Sequence, residues 1–389
     1  MKMASKKSIL LVTNYFPPEK GAAPNRMHTL ASALGQNGFN VSVVCPLPNY
    51  PTGRIFKGFR GKLYSTEKTE YGEIHRLWVW PSNSANKIIR LFSMFSFSFS
   101  LFFYFLLKKI PATVFIQYSP IFIGYTAVKL SKIFKKKTIL NVSDLWPLAG
   151  KEMGILKDGR NYSKLLAIEK YCYANNDLII GQSEEILEHI SKIQPEKKRF
   201  LYRNIPSFPV NSPTQKQNKE IRIVYAGLLG VAQGVLEICE NIQFSDQVSF
   251  HIYGSGPEAN AIQSIKKSHI YFHGEVERAV LHEILNEYDI ALIPLTTRIY
   301  GSVPSKIFEY TRLGLPVLYI SGGEGEKIVL ENGFGWSVPL KDWTAFQEFV
   351  DKLTLGELEK YPKSSVQKRA VERFDFEAQF RELLKIIGS

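Results

Sequence analysis

The strongest constraint on the fold is an alternation of short apolar runs with helical patterns, interrupted once near the middle of the chain. Because strands that alternate with helices form βαβ crossovers, this pattern predicts mostly parallel sheets. The predicted strands are Ile9–Val12, Val41–Cys45, Thr113–Gln117, Thr138–Val142, Leu178–Gly181, Phe200–Tyr202, Ile221–Tyr225, Val248–Tyr253, Ile270–Phe272, Ile290–Ile293 and Val317–Ile320. The predicted helices cover residues 24–36, 87–108, 121–134, 162–176, 183–193, 231–241, 257–267, 278–287, 304–313, 325–332 and 343–354.

The interruption is a segment typical of a linker. Residues 205–220 read IPSFPVNSPTQKQNKE, with three prolines and no apolar periodicity. The sequence therefore predicts two doubly wound α/β domains, residues 1–204 and 221–375. Such sheets bind ligands outside the carboxyl ends of their strands, so the loops that follow strands are the candidate sites.

Composition and charge narrow the class of protein. With 45% hydrophobic and 22% charged residues, the chain is neither disordered, collagen-like nor a polytopic membrane protein. Three well-separated cysteines indicate buried thiols in a reducing compartment. The apolar run after the basic first residues is too short for a signal peptide.

The net charge of +13 comes from residues 1–200, which hold 29 Lys and Arg against 13 Asp and Glu. That half is predicted to face an anionic partner, and basic clusters without interleaved aromatic residues argue against nucleic acid.

One apolar segment breaks the alternation. Residues 91–107, LFSMFSFSFSLFFYFLL, carry no charge over 17 positions, which is the lower limit for crossing a bilayer. The four serines of this segment weaken the case for a full span. A helix buried in the first domain and an amphipathic helix on a membrane surface remain open as alternatives.

The most informative motif is GSVPSKIFEY at residues 301–310. Pro304 and Ser305 are helix-start signals, and Lys306 falls in the first turn beside the positive end of that helix. Glu309 shares a face with Ser305. The combination offers donors and a cation for a diphosphate and a carboxylate for a diol, and a nucleoside diphosphate carries both groups. The alternative is a capped helix with a solvated Lys and Glu.

Three further loops follow predicted strands. The long turn at residues 14–26 contains Gly21, beside which a phosphate could approach the backbone. GSGPEA at residues 254–259 matches G-x-G-x-x-A, with Glu275 about twenty residues later, which is the best argument for an NAD enzyme. It follows the second strand of its domain, whereas the dinucleotide fingerprint follows the first. Asp144, just past a strand, could orient a hydroxyl or accept a proton, or could simply cap a turn.

Several familiar motifs are absent from the sequence. No D-x-D pair, P-loop, H-E-x-x-H, zinc-spaced Cys/His set or G-x-S-x-G elbow occurs, so we expect neither a metal nor another cofactor.

Taken in order, these motifs resemble glycosyltransferase family 4, whose members have the GT-B fold of two facing Rossmann-like domains. The resemblance covers nearly the whole chain. It rests on NYPTGRIFKGFR at 49–60, DLWP at 144–147, VYAGLLGVAQG at 224–234, YGSGPE at 253–258 and VPSKIFEYTRLGLPVL at 303–318. The chain looks like the branch that builds O-antigen and capsule, including N-acetyl-fucosaminyl transferases.

The resemblance implies roles for individual residues. Glu309 would hold the ribose hydroxyls, Ser305 and Lys306 would receive the diphosphate, and Asp144 and Lys306 would be catalytic. Residues 376–389 would pack back onto the first domain. The implied donor-binding residues are Gly21, Gly227, Gln233, Gly254, Gly256, Glu275, Arg298, Pro304, Ser305, Lys306 and Glu309. The candidate residues for contact with the acceptor or the membrane are Tyr50, Arg54 and, from the apolar segment, Phe95, Phe99 and Phe103.

The sequence departs from the family pattern at three positions. Gly301 stands where the first, sugar-facing glutamate of the family is expected, and Leu228 and Gln233 replace its usual Arg and Lys. Arg298, Lys306 and the helix dipole would then supply more of the positive charge.

The function implied is retaining, metal-independent transfer of a sugar, most simply from a UDP-sugar. The acceptor would be a polyprenyl-diphosphate-linked saccharide, with the enzyme peripheral on the cytoplasmic face of the plasma membrane and facing its anionic surface. Alternatives are a nucleotide-sugar epimerase or hydrolase of the same fold, a catalytically silent protein that binds sugar or anionic lipid, and, more distantly, an NAD dehydrogenase.

Overall fold

The computed structural model describes residues 7–50, 52–82, 86–213 and 220–388. The basic first residues, Pro51 of the NYPTG motif and linker residues 214–219 lie outside the described residues. The chain divides into two compact units, Met1–Arg203 and Asn204–Ser389. Residues 376–389 are grouped with the second unit, and their packing on the first stays a prediction.

The first unit is built on one mixed sheet with helices between its strands. In the described residues, the strands lie in the order β3-β4-β2-β1-β5-β6-β7-β8 and all pairs are parallel except β3 with β4. The strands are β1 Lys7–Val12, β2 Phe39–Pro46, β3 Tyr64–Thr69, β4 Gly72–Leu77, β5 Thr113–Gln117, β6 Lys137–Val142, β7 Leu178–Gly181 and β8 Arg199–Leu201. The helices are α1 Ala22–Gln36, α2 Lys87–Leu107, α3 Ile121–Ile133, α4 Leu148–Glu152, α5 Arg160–Ala174 and α6 Glu184–Ile193, with a short 3₁₀ turn at Lys57–Phe59.

The second unit repeats this plan with a fully parallel sheet. Its described strands lie in the order β11-β10-β9-β12-β13-β14. They are β9 Ile221–Ala226, β10 Val248–Tyr253, β11 Ile270–Gly274, β12 Ile290–Pro294, β13 Val317–Ile320 and β14 Gly335–Val338. The helices are α7 Val235–Asn241, α8 Ala259–Ser264, α9 Arg278–Leu285, α10 Lys306–Arg312, α11 Glu324–Glu331, α12 Trp343–Lys352, α13 Leu355–Leu358, α14 Lys363–Arg373 and α15 Phe376–Gly388, with a 3₁₀ turn at Val231–Gln233.

The central strands follow directly from sequence. Ile9, Leu10, Leu11 and Val12 of β1 have no exposed surface, because helices cover both faces of a parallel sheet. All six residues of β10 are likewise buried. Helix starts also follow from the sequence: Ser183 is the N-cap of α6, and its side chain accepts a hydrogen bond from the backbone N–H of Ile186.

Three strands escape the apolar pattern. β3 reads YSTEKT and lies at the sheet edge, where every second residue is exposed to water. Its neighbour β4 buries a charged residue, Arg76, whose Nε donates to Glu67 Oε1 of β3 at 2.6 Å. β14, GWSV, is only four residues long. A search for apolar runs misses such strands, because hydrogen bonds and side-chain pairs with the neighbouring strand stabilise them more than apolar burial does.

Each sheet has one point where the strand order reverses. The first unit builds outward from β1 to β3 and then returns to place β5 beside β1. The second unit builds outward from β9 to β11 and then places β12 beside β9. The loops that leave neighbouring strands diverge at such points, which opens a crevice at the carboxyl edge of the sheet.

All three cysteines, Cys45, Cys172 and Cys239, are buried and unpaired, as predicted. The described part of the linker, up to Pro213, packs on the second unit: the Phe208 ring lies 4.6 Å from that of His282.

Candidate active site

The crevice of the second unit lies between the loops that follow β9 and β12. The loop after β9 begins at Gly227, and Gly254 follows β10 directly alongside it. A side chain at Gly254 would place its Cβ 1.8 Å from the carbonyl oxygen of Gly227, and the φ of Gly254 is +144°. Only glycine fits there, which holds two backbone segments close together at the edge of the sheet.

Lys306 extends into this crevice from the first residue of α10. Its Nζ lies 4.1 Å from the ring centre of Tyr225, and a Cβ on Gly227 would come within 2.2 Å of that Nζ. Burial lowers the pKa of Lys306 to about 8, against the opposing effect of the Glu309 carboxylate. The ammonium is therefore charged at neutral pH and lies against a backbone that has no side chain to shield it. This arrangement is suited to contact with a phosphate.

Glu309 lies one turn further along α10. Its Oε1 accepts a hydrogen bond of 2.9 Å from Nε2 of His282 on α9, and its side chain keeps 17% exposure. The carboxylate is thus held by a partner within its own unit while retaining solvent access. Sequence reasoning missed His282, because nothing in the spacing of residues 282 and 309 indicates that α9 and α10 meet.

The remaining donor-binding candidates are spread along the same edge. Gly256 packs against Leu229, whose carbonyl oxygen would lie 2.3 Å from an added Cβ. The buried Oε1 of Gln233 has no hydrogen-bond partner within the described residues. Ser305 occupies the N-cap of α10, as predicted together with Pro304, but its side chain makes no capping hydrogen bond.

Two more candidates lie in loops that follow strands of the same sheet. Glu275 follows β11, the outermost strand, and is exposed. Arg298 lies beside Gly323, which follows β13, and a Cβ on Gly323 would come within 2.5 Å of its Nε. The structure therefore brings Gly227, Gly254 and Lys306 together, while Glu275 stands after the edge strand β11 and Arg298 stands in the loop that follows β12.

The first unit has a polar cluster at the corresponding edge. Thr13 after β1 donates its hydroxyl to Gln117 Oε1 at the end of β5, at 2.5 Å. Arg26 of α1 donates to Gln182 Oε1 at 3.0 Å and to the hydroxyl of Ser143. Gly21 is the N-cap of α1, so the long loop after β1 ends at this cluster.

Asp144 and Arg26 form the charged centre of that cluster. Burial raises the pKa of Asp144, and the nearby Arg26 guanidinium opposes this rise. Burial also lowers the pKa of Arg26, whose Nε has no hydrogen-bond partner in the described structure. The half-buried Arg26 cation, with an unused donor, is able to contact an anionic or hydroxylated ligand. Arg26 stands at the end of the 14–26 motif, but sequence alone assigned it no role.

The NYPTG loop is attached to the same edge by Glu19. The buried carboxylate of Glu19 accepts hydrogen bonds from the backbone N–H groups of Asn49 at 2.8 Å and Tyr50 at 2.9 Å. Burial raises the pKa of Glu19, and these hydrogen bonds oppose the rise. Tyr50 is 43% exposed, with its ring 5.3 Å from that of Tyr15, and Arg54 is exposed. Both candidate acceptor residues are therefore accessible.

The apolar segment forms α2, which has two faces. Phe97 and Leu101 are fully buried in the first unit, whereas Phe95, Phe99 and Phe103 are 47%, 61% and 42% exposed. One face of the helix is therefore buried in the first unit, and contact of the other face with a membrane surface stays a prediction. Within the described ranges, no helix is both long enough and apolar enough to cross a membrane.

Residues 220–354 match the family described as glycosyl transferases group 1. This region contains the crevice of the second unit, with Gly227, Gly254, Lys306 and Glu309. A search of curated proteins finds no match.

Solved structures similar to the chain confirm the GT-B fold class. Sucrose-phosphate synthase from Thermosynechococcus elongatus aligns with a TM-score of 0.73 at 14% identity, covering 98% of each chain. Anabaena HepE in complex with UDP-glucose aligns at 0.67 and 11% identity, covering 98% of this chain and 99% of its own. Starch synthase IV from Arabidopsis thaliana, bound to ADP and acarbose, aligns at 0.59 and 12% identity, covering 98% and 99%.

Together these findings identify the enzyme class as glycosyltransferase, as predicted. The finer assignments are separate questions. The individual roles of the residues in the group 1 domain stay predictions, as do family 4, the O-antigen branch and the absence of a metal.

Proposed function

We propose that the protein transfers a sugar from a UDP-sugar to a polyprenyl-diphosphate-linked saccharide, with retention of anomeric configuration and without a metal. It would act at the cytoplasmic face of the plasma membrane in the synthesis of a surface polysaccharide, in the family 4 branch that the motifs resemble. The observation that carries the donor assignment is the position of Lys306, whose ammonium lies against Gly227 where β9 and β12 part.

The proposed chemistry places each charge where it is needed. Cleavage of the anomeric C–O bond leaves negative charge on the departing diphosphate, and fixed donors aimed at that charge lower the barrier. Lys306 would supply the charge, with backbone N–H groups around Gly227 beside it. Glu309, held by His282, would accept hydrogen bonds from the ribose hydroxyls. The binding of UDP or UDP-glucose by HepE supports the choice of nucleotide.

The acceptor side rests on the first unit. A hydroxyl of the acceptor would attack from the face of the sugar that the diphosphate leaves, and its proton would pass to the leaving phosphate. Asp144, next to Arg26, would orient the acceptor or the sugar. Support for the lipid-linked acceptor comes from the excess of positive charge in residues 1–200 and from the exposed aromatic face of α2.

The test is calorimetric binding of UDP to wild type and to Glu309→Gln. Because the variant loses charge-assisted hydrogen bonds to the ribose, binding should weaken by about 1–3 kcal/mol. Glu372→Gln, an exposed glutamate on α14, is the matched control and should bind like wild type. Equal affinity in all three proteins would refute the role of Glu309.

Incubation of the UDP-sugar, followed by NMR, separates the chemical alternatives. Transfer predicts consumption that depends on a lipid-linked acceptor. A free sugar or an epimer as the main product without acceptor would favour a hydrolase or an epimerase. Tight UDP binding with no turnover on any acceptor would favour a silent binding protein.

A further inference from the structure

A cationic cavity lies at the amino end of the first sheet, on the edge opposite Asp144. It is about 230 Å³ in volume and is formed where α3 and α5 end and where β6 and β7 begin. Lys132, Lys135, Lys136 and Lys197 line it, together with the single acidic residue Asp177. Nothing in the proposed transfer reaction uses this edge of the unit.

The charges of this lysine cavity are only partly neutralised from within, because four lysines face the single carboxylate of Asp177. That carboxylate is held in place by hydrogen bonds from the backbone N–H of Thr138 at 2.7 Å and from its hydroxyl at 3.1 Å. Lys136 and Lys197 are anchored through the carbonyl oxygens of Ile110 and Asn176, at 2.8 Å and 3.0 Å. An ammonium has three donors, so each anchored lysine can also contact a ligand. The cavity is therefore built for an anion.

A second, independent observation refines the chemistry of that anion. Asn176 also lines the cavity, is only 2% exposed, and its Oδ1 has no hydrogen-bond partner within the described structure. A buried acceptor without a partner costs free energy until a donor reaches it. A phosphodiester alone cannot serve, because it carries no hydrogen-bond donor. A phosphodiester that also carries a hydroxyl group satisfies both the lysines and Asn176.

The surface beside the cavity is apolar. α2 and α3 run in the same direction: Phe95 lies against Phe122, with ring centres 5.0 Å apart, and further along both helices Phe105 lies against Phe134, at 6.0 Å. The ends of both helices therefore adjoin the lysine cavity. Five apolar side chains are at least 42% exposed there, and we call them the apolar shelf: Phe102, Phe103, Leu106, Leu107 and Ile133.

We propose that the lysine cavity binds the head group of an anionic phospholipid with a free hydroxyl, of the phosphatidylglycerol class, while the apolar shelf enters the acyl region beside it. Charge and apolar surface meet at one place, which is the arrangement that holds a protein on an anionic membrane. This inference rests on the membrane location in the proposed function and assigns it a binding site.

The test uses the full chain and sedimentation with vesicles of phosphatidylcholine alone or with phosphatidylglycerol added. The double variant Lys132→Gln/Lys135→Asn should bind the anionic vesicles roughly 10- to 30-fold more weakly than wild type. Asparagine suits position 135, whose φ is +52°. Wild type should also lose affinity as salt is raised, because mobile ions screen exposed charges.

The chain offers a closely matched control, Lys341→Asn/Lys352→Gln. Lys341 has a φ of +58°, and Lys352 lies in the last turn of α12 as Lys132 does in α3. The control removes the same charge but should keep wild-type vesicle binding. Equal loss in both double variants, or equal wild-type binding to neutral and anionic vesicles, would overturn the proposal.

Two further arms separate the alternatives. Vesicles with phosphatidylmethanol carry the same charge without the hydroxyl and should bind more weakly; equal binding would refute the role of Asn176. Stabilisation of the chain by glycerol phosphate with no preference for anionic vesicles would mean a soluble ligand and would overturn docking. Calorimetric UDP binding should be unchanged in Lys132→Gln/Lys135→Asn, so failure of this proposal is distinguishable from failure of the proposed transfer activity.

Discussion

At the scale of single residues, the second unit places the ammonium of Lys306 against the backbone of Gly227. Lys306 is attracted to Tyr225 and Glu309, but burial still lowers its pKa to about 8. Gly227 and Gly254 remove the side chains that would otherwise separate this ammonium from a ligand. Catalytic and binding lysines are commonly tuned in this way, because a desolvated ammonium interacts strongly with an anion.

The pKa of Lys306 predicts how UDP binding depends on pH. The side chain of Lys306 is charged below a pH of about 8 and loses its proton above that pH. The affinity for UDP should therefore be constant up to neutral pH and fall at higher pH. The fall should approach tenfold per pH unit, the limit for one proton. Calorimetry between pH 7 and 9.5 measures it. Lys306→Arg should remove the pH dependence, because arginine stays charged. An unchanged slope in that variant would contradict the assignment.

At the scale of elements, α2 illustrates how one helix serves two surroundings. Serines and aromatic residues alternate along it so irregularly that periodicity does not distinguish a core helix from an interfacial one. The fold resolves this by packing one face on α3 and β4 and leaving Phe99 and its neighbours 42–61% exposed. Hydrogen bonds from the helix reinforce the packing, since Ser100 donates to the carbonyl oxygen of Trp78 at 2.8 Å.

The two faces of α2 should differ in their contribution to stability. Phe105 is 1% exposed, so Phe105→Ala should lower the free energy of unfolding by about 3–5 kcal/mol. Phe99 is 61% exposed, so Phe99→Ala should change it by less than about 0.5 kcal/mol. Urea unfolding of the full chain provides the measurement. A comparable loss in both variants would mean that the outer face is covered in solution.

At the scale of the whole molecule, the uneven charge follows the structural division. The excess of basic residues lies in residues 1–200, and the first unit ends at Arg203. The second unit has a different electrostatic character, with two histidines on neighbouring strands, the buried His251 of β10 and the exposed His273 of β11. His251 Nδ1 lies 3.0 Å from His273 Nε2, and burial, with Arg222 and His273 adding to it, lowers the pKa of His251 to about 3.

The lowered pKa of His251 predicts that the free energy of unfolding falls in acid. His251 has its ordinary pKa of 6.5 in the unfolded chain and a pKa of about 3 in the folded chain. Between these two pH values the unfolded chain binds a proton at His251 and the folded chain does not. Stability should therefore decline as pH falls through this window, by up to about 1.4 kcal/mol per pH unit. Thermal unfolding of the full chain at pH 7 and pH 5 measures the decline, and His251→Gln should reduce it. The same pH dependence in both proteins would rule out His251 as its source.

Much of this protein could be predicted from its sequence, because backbone pairing and apolar burial leave local signals. The buried runs of β1 and β10, the break at 205–220 and the motif at 301–310 are readable one segment at a time. The charge-bearing strand β4 and the edge strand β3 were missed, since their stability comes from partners across the sheet. The same reason applies to His282 beside Glu309, Arg26 beside Asp144 and the lysine cavity. Each joins residues that are distant in the chain, and only tertiary packing decides which distant residues meet.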